Sequence, residues 1–74
     1  MSFNPFLSYL DMLEDEGRSI VLHHEDGDVF ISKQARVYVV RVEGSKETTT
    51  IFCGAGDIEG HYLRYGGVPF NETT

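Results

Sequence analysis

Cysteine is almost missing. Cys53 is the single one in 74 residues, which excludes an internal disulfide and makes a reducing compartment the simpler expectation. Long apolar runs are missing too: no stretch approaches the roughly 18 residues that a membrane-spanning helix needs. The start, MSFNPFLSYL, has neither the basic residues nor the apolar core of a signal peptide. There are no internal repeats and no low-complexity segments. Asn71-Glu72-Thr73 matches a glycosylation pattern, which carries little weight without a secretion signal. The expectation is a soluble, cytoplasmic protein. Basic residues are also scarce, 6 Lys and Arg against 12 Asp and Glu for a formal net charge of −6. They are scattered, whereas nucleic-acid affinity favours a basic footprint.

What is present suits one small folded domain over residues 1–74. Hydrophobic residues make up 41%, with five Phe and four Tyr, so disorder is rejected. A chain of this size buries only about 60% of its unfolded surface, and its core is small. The charge is polarised along the sequence. Asp11, Glu14, Asp15, Glu16, Glu25, Asp26 and Asp28, against Arg18 alone, place the whole −6 within residues 11–28, while residues 29–74 are neutral.

Asn4-Pro5 is a helix start, because Asn caps early amides and Pro at the first position loses no bond. Phe6, Tyr9, Leu10 and Leu13 form one apolar stripe and Gly17 a stop, predicting a helix over about 5–16. Strands are expected through 19–65. Residues 19–24 and 28–33 make a hairpin around Asp26-Gly27, and 35–43, apolar on both faces at its centre, reads as a strand covered on both sides. TTTIFC at 48–53 and a short strand at 61–65 follow, with the glycine-rich GAGDIEG as a loop between them. Residues 66–74 read as a flexible tail. The fold class is α+β, mainly β: an N-terminal helix and about five short antiparallel strands in a curved sheet or small barrel. Small RNA-binding barrels of the Sm type share this element order and length. The Asp and Met-Asn residues that mark their RNA-contacting loop are not found here, and the chain is not assigned to them.

LHHEDGDVF, residues 22–30, raises the question of a metal. With Asp26-Gly27 as the loop, Glu25 faces Asp28 and His23 faces Phe30, and His23, Glu25 and Asp28 share a face. They are a weak zinc candidate, since no fourth ligand is visible; the plainer reading is a solvated hairpin tip. Glu14, Asp15 and Glu16 in the last helical turn oppose the macrodipole, at roughly 0.3–1 kcal/mol each, which leans towards a role outside the fold.

Other chemistry finds little support. G-x-G in GAGDIEG lacks the following helix and βαβ unit that a phosphate loop requires. Cys53 has no base placed beside it by spacing and reads as a small buried hydrophobe. No catalytic residue and no cofactor are expected. Arg36, Tyr38, Arg41, Tyr62, Arg64 and Tyr65, with His61, mix cations with stacking surfaces as single-strand binders do. The leading expectation is a non-enzymatic protein–protein interaction module. Its acidic patch, Asp11, Glu14, Asp15, Glu16, Glu25, Asp26 and Asp28, would engage a basic protein surface. Phage-type inhibitors that imitate nucleic-acid charge share its size and charge. Two alternatives stand beside it: a nucleic-acid-binding small barrel of Sm or OB-like architecture using the Arg/Tyr face, and a subunit that self-associates, its acidic front meeting a neighbour's Arg36, Arg41 or Arg64.

Overall fold

Asn4 fixes where the first helix begins. In the computed structural model, which describes residues 4–70, its Oδ1 accepts the N–H groups of Phe6 and Leu7 at 3.0 and 3.2 Å. Helix α1 spans Pro5–Glu16, as the stripe predicts, and ends at Gly17, whose φ of 68° is the left-handed cap. Arg18 N–H then closes on the Leu13 carbonyl at 2.8 Å. Phe6, Leu10 and Leu13 face inward and are buried, and Tyr9 is half-buried.

Four strands follow: β1 (Ile20–His24), β2 (Gly27–Gln34), β3 (Val37–Glu43) and β4 (Thr48–Cys53), in the order β1-β2-β3-β4. Each pairs antiparallel with the next. The sheet is open, so the small barrel is not formed. Alternation sends Val29, Ile31, Tyr38 and Val40 to one face, where both helices cover them. The other face carries Val21, Phe30, Val39 and Phe52, and among the described residues no helix lies on it. The centre of β3, Tyr38, Val39 and Val40, is buried on both faces, as expected, but the helices cover only the Tyr38 and Val40 side. Val39 is buried on the open face, in a row with Ser32 and Phe52.

Residues expected as the fifth strand belong instead to a helix, α2 (Ala55–Arg64), which also takes in most of the expected loop. Gly56 and Gly60 disfavour helix locally. Tertiary burial overrides them: Ile58 and Tyr62, one turn apart, are buried against the sheet. Asp57 in the first turn and Arg64 in the last also suit the macrodipole. Because a Cβ at Gly60 would meet nothing within 4 Å, Gly60→Ala is expected to stabilise the protein by about 0.8 kcal/mol, raising Tm by several degrees. A thermal melt by circular dichroism checks this, and a lowered Tm would contradict the helix.

The expected tail also departs from expectation over residues 66–70. Gly67 N–H donates to the Tyr62 carbonyl at 2.9 Å. The Tyr62 hydroxyl donates to the Val68 carbonyl at 2.7 Å. Phe70 packs on Phe6, Tyr9 and Tyr62. Residues 71–74 lie outside the described residues. Among those described, no helix is long and apolar enough to cross a membrane.

Candidate functional site

The first hairpin differs from expectation in its loop. Glu25 and Asp26 are the loop residues, and His24 pairs with Gly27. A type I′ turn on Asp26-Gly27 would need positive φ at Asp26, but here the positive φ falls on Gly27, at 139°. Asp26 N–H instead donates to His24 Nδ1 at 3.1 Å. The register moves by two residues, so faces are kept and partners change. His23 now faces Asp28, with Nδ1 to Oδ1 at 2.9 Å, and the expected opposition of Glu25 and Asp28 is relieved. Glu25 does not complete a ligand set: among the described residues no three or more His, Cys, Asp or Glu side chains cluster as metal ligands.

The seven expected patch acids fall at two ends of the sheet. Strand β2 separates them, since Asp28 and Ala35 are seven residues apart, or about 23 Å of extended chain. At the Ala35 end, Glu14 Oε2 accepts Ala35 N–H at 2.7 Å, and Lys33 Nζ reaches Asp11 at 2.7 Å and Glu14 at 3.5 Å. Ala35 has φ of 58°, a left-handed backbone that alanine rarely adopts, and the Glu14 carboxylate holds its amide there. The Asp11 hydrogen bond raises the Lys33 pKa above its ordinary value against the desolvation that lowers it, with the charges of Asp11, Glu14 and Tyr38 adding to the rise. Two acids expected to serve a partner thus fasten α1 to the β2–β3 turn. Glu16 pairs with Arg18 at 2.9 Å, and Asp15 is exposed.

At the other end two turns lie side by side. Gly27 packs against Glu43 and Gly44 so closely that a Cβ would come 2.3 Å from the Glu43 carbonyl oxygen. The register also sets Asp28 opposite Glu43. Asp26 and Glu47 line one depression with Gly44 and Tyr65. Glu25, Asp26, Asp28, Glu43 and Glu47 are all exposed there, and Lys46 is the one cation within the two turns. Opposed like charges are destabilising; Glu43 is paired with Arg41 at 3.0 Å, and Asp28 shares its hydrogen bond with His23. His24 lies 3.5 Å from Asp26. Glu43 and Glu47 were missed by sequence reasoning, which followed charge along the chain. A β2–β3 hairpin looped on Ala35-Arg36 would have placed Glu43 beside Asp28.

The Arg/Tyr face is not assembled. Tyr38 and Tyr62 are only 7% and 6% exposed, on the covered side of the sheet. Arg41 lies on the open side, its guanidinium 4.7 Å from the Phe30 ring centre. Arg36 sits in the β2–β3 turn and Arg64 ends α2, and Tyr65 packs edge-on against His24. Burial pushes the Tyr62 hydroxyl pKa up; the Val68 bond opposes the rise, and the charges of Tyr9 and Glu59 add to it. Cys53 is half-buried on the covered side and shares a depression with Asp57, His61 and Arg64. Burial, and then the Asp57 charge, raises its thiol pKa, which keeps it protonated at neutral pH. Comparison with protein-family models, curated proteins and solved structures gives no match.

Proposed function

We propose that this chain is a small, non-enzymatic protein–protein interaction module that presents the acidic end of its sheet to a basic protein surface. The observation that carries the reading is the convergence of the β1–β2 and β3–β4 turns, which gathers Glu25, Asp26, Asp28, Glu43 and Glu47 at one end of the sheet. Short turns on a hydrogen-bonded sheet hold the backbone that carries these carboxylates in place, so less ordering is lost on binding. Like-signed charge gathered in one place raises the on-rate towards a basic partner. A nucleic-acid-binding protein's groove is the class of target this charge suits, which makes the chain an inhibitor by occupancy. The protonated Cys53 thiol is consistent with a non-enzymatic role, and a cytoplasmic setting suits a chain with one unpaired cysteine. The nucleic-acid-binding alternative is weakened by the burial of Tyr38 and Tyr62, which cannot stack on bases without unpacking the core.

Affinity capture from lysate, with and without nuclease, tests the proposal. The expected result is a nuclease-resistant protein partner that leaves as salt is raised. Its affinity should fall at least about tenfold, or ~1.4 kcal/mol, in the Glu25→Lys/Asp26→Lys double variant. The Asp15→Lys/Glu16→Lys variant, at the other end of the sheet, should bind as wild type. Salt-independent capture, or capture lost on nuclease treatment, would overturn the proposal.

A further inference from the structure

We propose that β4 is a self-pairing edge, so that two copies of this chain join through antiparallel β4–β4 pairing about a two-fold axis at Thr50, each four-stranded sheet continuing into the other. The backbone of β4 sets the argument. Gly44 N–H donates to the Glu47 carbonyl at 2.9 Å, so Gly44–Glu47 is a hydrogen-bonded pair. Alternation along an antiparallel ladder then makes Val42–Thr49, Val40–Ile51 and Tyr38–Cys53 the next bonded pairs. The N–H and C=O groups of Thr48, Thr50 and Phe52 therefore point away from β3. Among the described residues no strand receives them.

Natural edges are guarded by lysine, proline, bulges or a covering element. β4 reads TTTIFC, with no charge and no proline, rich in residues that favour strands, and it pairs without a bulge over all six residues. Its Phe52 is 65% exposed. The opposite edge, β1, runs straight into Glu25 and Asp26 and lies in the segment that holds the chain's whole net charge of −6. Two copies meeting along β1 would bring two segments of net charge −6 side by side, whereas β4 lies in residues 29–74, which are formally neutral, so pairing there brings less like charge together.

Identity of the two strands also satisfies every outward group. Pairing the three outward residues antiparallel sets Thr50 opposite Thr50 of the second copy and Thr48 opposite its Phe52, on the same open face. Threonine–threonine and threonine–aromatic pairs are favourable cross-strand neighbours. A second copy is thus a complementary occupant in backbone and side chain.

Sedimentation equilibrium of the full chain over a concentration series, with backbone hydrogen exchange at its two ends, tests this. The expected result is a rise towards twice the 8.3 kDa chain mass, with Thr50 and Phe52 amides becoming protected as concentration rises. Thr50→Lys sets two like charges opposite each other, and Thr50→Pro removes one outward amide without breaking a bond to β3. Both should remain monomers with wild-type circular dichroism. The Glu25→Lys/Asp26→Lys variant should still dimerise, so failure of the acidic-end reading and failure of this one are separately visible. A wild type monomeric throughout, a folded Thr50→Lys that still dimerises, or Thr50 and Phe52 amides whose exchange ignores concentration would each overturn the proposal.

Discussion

Replacing Gly27 with alanine is expected to destabilise the protein by on the order of 3 kcal/mol, lowering Tm by 10 °C or more. Two effects act together. Gly27 has φ of 139°, a region open essentially to glycine. Its added Cβ would also lie 2.3 Å from the Glu43 carbonyl oxygen and 2.8 Å from Gly44 Cα. Both neighbours are backbone, so no side chain can swing away. The β1–β2 and β3–β4 turns must then part, and with them the carboxylates of the acidic end. Gly17→Ala separates the two effects. Gly17 also has positive φ, at 68°, but a Cβ there meets nothing within 4 Å, so about 1 kcal/mol of left-handed strain is all that is expected. Urea melts of both variants check the comparison. Equal losses would mean that backbone conformation, and not the close approach of the turns, is what Gly27 supplies.

The same glycine shows why one part of the fold was legible and another was not. Helix α1 is written locally: cap, stripe and stop all lie within residues 4–17, and each acts on its own neighbours. The strands β1 to β4 were legible from alternation and β-branched content, and the faces of the first hairpin were read correctly. Its register was not, because Asp26-Gly27 is the preferred loop only while the hairpin is considered alone. Gly27 is placed instead by Glu43 and Gly44 on a strand it does not follow. Helix α2 failed for a related reason. Its glycines and the alternating look of residues 61–65 outweigh, in isolation, the fact that Ile58 and Tyr62 lie one turn apart; only the sheet beneath them decides. The acidic patch shows the same limit. Glu14 looked idle because its partner, the Ala35 amide, is 21 residues away, while Glu43 and Glu47 looked unrelated to Asp28 because charge was followed along the chain rather than across the strands.

Phe6→Ala is the second large effect, expected at about 3–5 kcal/mol. A 74-residue domain holds roughly 4–11 kcal/mol in all, so this one truncation removes a large part of the margin. Phe6 is fully buried, and its ring lies 4.8 Å from that of Tyr62 and 5.3 Å from that of Phe70. It therefore ties three segments together: α1, α2 and the chain after α2. Deleting it opens a cavity where the two helices meet, and Phe70 loses one of the rings that hold it. Phe70→Ala, at a half-buried position, should cost less on its own. If the three rings act as one cluster, the double variant should lose less than the two single losses added together, because the first truncation has already broken the shared contacts. Tyr62→Phe gives the contrast: it keeps the ring and removes only the hydroxyl bond to the Val68 carbonyl, for about 1 kcal/mol. Urea unfolding of the four variants measures the cycle. Strict additivity of Phe6→Ala and Phe70→Ala would mean that Phe70 rests on Tyr9 and Tyr62 alone, and that residues 66–70 are held by the Tyr62 hydrogen bonds rather than by the aromatic cluster.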